Sequence, residues 1–69
     1  MKRANARVVD NIKKLIKKQQ ETAEKLAFGA EVSKSTVSRV LSGKLNPTVR
    51  LLEKFADYFE VDIRTFFDP

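Results

Sequence analysis

Apolar residues recur every three or four positions along most of the chain, which is the spacing of one face of an α-helix. The first such stripe lies within residues 4–20 and consists of Val8, Ile12, Leu15 and Ile16. The lysines between residues 13 and 18 lie off this stripe. The pattern therefore predicts an amphipathic helix over residues 4–20.

Four shorter helices are predicted by the same periodicity together with residues that favour helix ends. Their ranges are 22–30, 33–42, 48–60 and 62–67. The side chains expected to cap their first turns are Thr22, Ser33, Thr48 and Asp62. Gly43 suits the end of the third helix, because glycine adopts the left-handed conformation without steric cost. Pro47 then prevents the chain from continuing as a helix.

The apolar positions of these helices define the expected core. Beyond the first helix, they are Leu26, Ala27, Ala30, Val32, Val37, Val40, Leu51, Leu52, Phe55, Ala56, Phe59 and Ile63. No alternating apolar run predicts a strand. The sequence thus predicts an all-α fold, a compact five-helix bundle that forms a single domain over residues 1–69. The short connections require neighbouring helices to cross.

Composition narrows the classes of function. The chain has no cysteine and no histidine, so we expect neither a disulfide nor a metal site, and no cofactor. An enzyme is also not expected, because no nucleophile–base pair or carboxylate pair is evident. No apolar run approaches the roughly 20 residues that span a bilayer, and no apolar signal segment follows the basic N-terminus. We therefore expect a cytoplasmic protein.

Charge is distributed unevenly along the chain. Residues 1–50 carry 12 lysines and arginines against 4 acidic residues, whereas residues 51–69 carry 2 against 5. The net charge of +5 therefore arises in the first two thirds of the sequence. This asymmetry favours a polyanionic partner on one side of the protein, although a merely solvated basic surface would give the same count.

The third predicted helix is unusual because hydroxyl side chains occupy most of its exposed positions. Ser33, Ser35, Thr36, Ser38 and Ser42 are poor choices for helix stability, since their side chains compete for backbone hydrogen bonds. Small hydroxyls instead suit a helix that must approach another surface closely. The alternative is that these serines form only a tolerated surface.

The second and third helices together have the spacing of a helix-turn-helix. Ala27 is small where two helix backbones approach, Val32 lies in the turn, and Val37 and Val40 pack back onto Leu26. Residues 5–67 resemble the lambda-repressor and Cro-like (XRE-like) DNA-binding family. The stretch VSKSTVSRVLSGKLNPT resembles that family's recognition helix and following loop, and LLEKFADYFEVDIRTFF resembles its last two helices.

The resemblance implies a sequence-specific, double-stranded DNA-binding transcriptional regulator, most often a repressor. Its recognition helix, residues 33–42, would enter the major groove. The residues at the base-reading positions are Lys34, Ser35, Ser38 and Arg39. Arg39 is the first candidate for a bidentate contact with guanine. Lys34 would read guanine or hold a phosphate.

Other residues are expected to hold the DNA backbone. These are Thr22 with the backbone N–H of Ala23, Ser33 and Thr36 at the start of the recognition helix, and Lys44 and Asn46 in the loop. Asn46 has an equally good explanation as a turn residue before proline. Lys2 and Arg3 are candidates for a flexible arm that reaches into a groove, the alternative being a disordered tail. The lysines of residues 13–18 are interpreted as a surface that faces away from the DNA and favours solubility, and they are not counted as a site.

The chain departs from the family pattern at two turns. Glu31 and Glu60 stand where the family usually has glycine. A non-glycine residue in the left-handed conformation costs roughly 1 kcal/mol, so either the turn geometry differs or stability is lower. Gly29 opens an alternative register, in which the second helix ends two residues early.

The aromatic C-terminal end is the candidate dimer surface. Phe66 and Phe67 are adjacent, so one is expected to close the core and the other, with Tyr58 or Leu45, to contact a second copy. The expected partners are therefore an inverted-repeat operator and, at least on DNA, a second copy of the chain.

Two rival functions remain: a helical protein-interaction module, and a membrane-surface binder acting through the basic helix 4–20.

Overall fold

The computed structural model describes residues 3–68, with side chains described from Ala6 onward. The chain forms four α-helices: α1 (Arg3–Lys18), α2 (Ala23–Ala30), α3 (Lys34–Leu41) and α4 (Val49–Phe59). Residues 3–68 contain no strand, which confirms the all-α prediction. The predicted fifth α-helix is instead a 3-10 helix, Ile63–Phe67. Its five residues suit this tighter form, which occurs mainly in short pieces.

Each of the four residues predicted to cap a helix does so in the structure. The hydroxyls of Thr22, Ser33 and Thr48 each accept a hydrogen bond from the backbone N–H three residues later, at 3.0–3.1 Å. Asp62 accepts from the side chain and the backbone N–H of Arg64, and these bonds hold the pKa of its carboxyl below the usual range. Because these caps satisfy free N–H groups locally, they could be read from the sequence.

The core is built from one face of every helix. The side chains that are fully shielded from solvent are Ile12, Leu26, Val37, Val40, Phe55 and Phe66. Most of the predicted core positions are buried, while Ile16, Val32, Leu51 and Ile63 are half-buried against the cluster. Val9 is a buried residue that the sequence analysis did not assign.

Asn11 is a buried polar residue that sequence reasoning also missed. Its amide nitrogen donates to the backbone oxygens of Phe66 and Asp68, both at 2.8 Å. A buried amide without partners would be costly, whereas here both of its N–H groups are used. Asn11 therefore fastens the C-terminal 3-10 helix to α1.

The adjacent phenylalanines Phe66 and Phe67 have opposite environments. Phe66 has no exposed surface and meets Phe59 edge-on, with ring centroids 6.5 Å apart. Phe66 is therefore the member of the pair that closes the core, and Phe67 is the one left as a candidate dimer contact. Phe67 keeps 49% of its surface exposed.

The turn between α2 and α3 follows the standard register. α2 continues through Gly29 to Ala30, so the alternative in which it ends at Gly29 is wrong. Glu31 takes the left-handed conformation with φ of 59°, and its N–H bonds to the oxygen of Phe28. The N–H of Val32 bonds to the oxygen of Ala27 at 3.0 Å, which completes a Schellman motif.

Two other helices also end at a non-glycine residue in the left-handed conformation. Glu60 follows α4 with φ of 60°, and Gln20 follows α1 with φ of 56°. Their following residues, Val61 and Glu21, bond back to Ala56 and Ile16 at 3.0 and 2.8 Å. Glu31 and Glu60 therefore keep the turn geometry that glycine would give. Their left-handed conformation lowers the free energy of unfolding instead.

Glu31→Gly is expected to raise the free energy of unfolding by roughly 1 kcal/mol. Glycine relieves the left-handed strain, although its greater freedom in the unfolded chain offsets part of the gain. The control Glu53→Gly, on the exposed face of α4, should lower it by about 0.5–1 kcal/mol. Urea denaturation measures both. Equal destabilisation by the two substitutions would contradict a strained Glu31.

Gly29 lies where α4 approaches α2. A Cβ at this position would collide with the ring of Tyr58, so the ring lies directly over the backbone of α2. The Tyr58 hydroxyl donates to Glu21 Oε1 at 2.7 Å, and this bond raises the pKa of Tyr58 above its usual value. Tyr58 thus connects α4 both to α2 and to the segment before it.

Candidate nucleic-acid interface

The α2–turn–α3 unit is held together by its apolar side. α2 and α3 pack directly against each other, with Leu26 and Ala27 on one side and Val37 and Val40 on the other buried in the common core. Val32 is half-buried in the turn, as expected for a residue that fills the junction of two crossed helices. This packing fixes which face of α3 is turned outward.

The outward face of α3 carries all of the predicted base-reading residues. Lys34, Ser35, Ser38 and Arg39 are exposed, whereas Val37 and Val40 have no exposed surface. Within the described part of the chain, Ser35, Ser38 and Arg39 use none of their side-chain groups in hydrogen bonds or ion pairs. Their donors and acceptors are therefore available to a ligand.

The other hydroxyls of this segment stabilise the ends of α3. Ser33 caps the helix through the Thr36 N–H at 3.0 Å, and its hydroxyl lies 2.8 Å from that of Thr36. At the opposite end, the Ser42 hydroxyl donates to the backbone oxygen of Arg39 at 3.2 Å. Part of the hydroxyl enrichment therefore has a structural cause, since helix ends leave backbone groups without partners.

Lys34 has a partner that the sequence analysis did not find. Its ammonium lies 3.9 Å from Glu24 Oε2, in the first turn of α2, and both side chains are largely exposed. Such an exposed pair contributes little to stability. The pair places the first cation of α3 near the first turn of α2, and Lys34 remains accessible to DNA.

The predicted phosphate contacts lie at two places. Thr22 and Ala23 are at the start of α2, where the first N–H groups have no partner within the helix and the dipole favours an anion. Lys44 and Asn46 are exposed in the loop after α3. The backbone N–H groups of Lys44 and Leu45 both bond to the oxygen of Arg39, at 2.9 and 3.2 Å, so this loop is fastened to the end of α3.

The predicted N-terminal arm is not supported for Arg3. Arg3 is the first residue of α1 and has a helical backbone, because the following alanines and arginine are strong helix formers. Lys2 lies outside the described residues. The candidate groove-reaching segment therefore cannot include Arg3 in an extended form.

The remaining dimer candidates differ in accessibility. Tyr58 is half-buried by Gly29 and Glu21, whereas Phe67 and Leu45 are exposed. Two exposed apolar side chains were missed: Phe28 at 88% and Val49 at 63%. The phase of α2 contained the signal for Phe28, because a helix that buries residues 26, 27 and 30 turns residue 28 to solvent.

Comparison with known proteins agrees with the geometry. The profile of the family described as Helix-turn-helix matches residues 12–66, which include α2, α3 and α4. The chain belongs to this XRE-like helix-turn-helix family, that of lambda repressor and Cro, and is a DNA-binding regulatory protein. No curated protein sequence and no solved structure gave a significant match.

None of the helices within residues 3–68 has the length and apolar character needed to cross a membrane.

Proposed function

We propose that the protein is a sequence-specific transcriptional repressor that inserts α3 into the major groove of double-stranded DNA. The observation that carries this proposal is the two-sided character of α3. Its inner side, Val37 and Val40, is completely buried, while its outer side presents Lys34, Ser35, Ser38 and Arg39 to solvent. A helix in the major groove needs such an outer side.

The chemistry of the outer side suits base reading. Arg39 offers a planar fork of donors that matches the O6 and N7 acceptors of guanine. Ser35 and Ser38 are small, so the helix can lie deep in a groove about 12 Å wide. Lys34, once released from Glu24, reaches guanine or a phosphate from the leading end of the helix.

Backbone contacts would fix the docked position on both sides of α3. The start of α2 (Thr22 and the Ala23 N–H) offers free amides and the positive end of a helix dipole to one phosphate. Ser33 and Thr36 would add contacts at the start of α3, and Lys44 with Asn46 would hold the DNA backbone beyond the end of α3. These contacts position the protein and carry no sequence information.

Repression would be carried out by a homodimer in the cytoplasm, bound to an inverted repeat. One short recognition helix reads few bases, and paired helices on half-sites about one helical turn apart supply the missing specificity. Phe67 is the candidate anchor between the copies, because it is aromatic and half exposed. Tyr58 is a weaker candidate for the dimer contact, because its ring already packs on Gly29 and its hydroxyl already donates to Glu21.

The test of this proposal is selection from a random library of duplexes of about 25 base pairs, at low and near-physiological salt. Enrichment of an inverted repeat with half-sites about 10 base pairs apart is the expected result. Salt-sensitive binding without enrichment would contradict base reading, and no binding at either salt would contradict the function. A reporter placed behind the selected site would then distinguish repression from activation.

A further inference from the structure

An open cleft separates α1 from the segment that follows the recognition helix. It has a volume of about 270 Å³. One wall is formed by α1 and the other by the end of α3 and its loop. The lining residues are Ala6, Val9, Asp10 and Lys13 on α1, and Leu41, Ser42, Gly43 and Asn46 opposite.

The cleft lies beside the loop that the proposed function places against the DNA backbone. Ser42, Gly43 and Asn46 belong to that loop, and Lys44, which follows Gly43, is exposed. Lys13 is the member of the basic 13–18 segment that lines this cleft. Lys13 therefore lies next to a surface that the proposed function places against phosphates.

The two charged residues of the cleft have opposite effects on an anion. Asp10 precedes Lys13 by about one helical turn, so both side chains lie on the same wall. Within the described residues neither takes part in an ion pair. An entering phosphate would be attracted by Lys13 and repelled by Asp10.

We propose that this cleft is a further binding site for a DNA backbone phosphate, with Lys13 as its cation and Asp10 as the residue that limits its affinity. The proposal rests on the proposed function and deepens it, because it extends the contact surface from the helix-turn-helix to α1. A Lys13 contact would fix the rotation of the protein on the duplex through a second element, without reading bases.

The test compares Lys13→Ala with Lys14→Ala on a duplex selected by the wild-type protein. Both lysines are exposed on α1 and both changes remove one charge, but only residue 13 lines the cleft. Lys13→Ala should weaken binding about fivefold and reduce the slope of log K against log salt by about 0.9, the value for one lost phosphate contact. Lys14→Ala should change affinity less than about twofold and leave the slope unaltered.

Removing the negative charge of Asp10 should have the opposite effect on DNA affinity from removing the positive charge of Lys13. Asp10→Asn should strengthen binding about two- to fivefold at low salt, whereas Glu53→Gln on the exposed side of α4 should change it less than twofold. Circular dichroism on each variant controls for folding. Equal effects of the substitutions at residues 13 and 14, while the wild type binds normally, would overturn the cleft site alone. A wild-type protein that shows no salt-dependent duplex binding would overturn the cleft site and the proposed function together.

Discussion

Phe66→Ala is expected to lower the free energy of unfolding by about 3–5 kcal/mol, the range for removing a fully buried phenylalanine. The ring has no exposed surface and packs edge-on against Phe59. The backbone oxygen of Phe66 also accepts from Asn11, so a collapse of the 3-10 helix would break a buried hydrogen bond. A chain of 69 residues has little stability to lose, and the variant should be largely unfolded at 37 °C.

Phe67→Ala provides the matched control, since it removes the same side chain from the neighbouring position. Because 49% of Phe67 is exposed, the loss should stay below about 1.5 kcal/mol. Urea denaturation followed by circular dichroism gives both values, and the protein concentration should be varied to detect dimerisation. Similar losses for the two variants would show that Phe66 does not close the core.

Arg39→Ala is expected to reduce discrimination at one base pair of the selected site by about 1–3 kcal/mol. Arg39 is exposed in the last turn of α3, and none of its donors bonds to another side chain within the described residues. On the preferred duplex the variant should bind about 10- to 100-fold more weakly. On duplexes already mismatched at that base pair it should bind almost as well as the wild type.

Lys44→Ala is the control that separates base reading from charge. It also removes one exposed cation, but from the loop rather than from the outer side of α3. It should weaken binding to all duplexes similarly and flatten the salt dependence by about one unit. Competition titrations against a set of single-base variants measure the difference. An even loss across all sequences for Arg39→Ala would remove Arg39 from the base-reading set.

The predictable parts of the fold were those determined by neighbouring residues. The caps at Thr22, Ser33 and Thr48 depend on a side chain and an N–H three positions away, so the sequence contains the whole interaction. The exposed side of α3 followed equally directly, because Val37 and Val40 define the helix phase. The family resemblance was confirmed over residues 12–66.

The parts that sequence reasoning missed depend on contacts between distant segments. Asn11 is buried because Phe66, 55 positions away, offers its carbonyl oxygen. Phe66 and Phe67 are chemically identical neighbours, and only the packing of the 3-10 helix decides which one faces the core. The Glu24–Lys34 pair likewise depends on how α2 crosses α3. Local periodicity contains none of this information.

The contact between Gly29 and Tyr58 determines whether the DNA-binding unit can be transferred to another protein. Residues 22–43 look like a self-contained element that could be grafted onto another helical scaffold. In this chain, however, α2 has a bare backbone at residue 29 because an aromatic ring from α4 occupies the space of its side chain. A scaffold without an equivalent ring would leave the backbone of α2 uncovered at Gly29 and would lose this contact between the two helices. Grafting this unit into a new protein therefore requires transferring Tyr58 and its Glu21 partner with it.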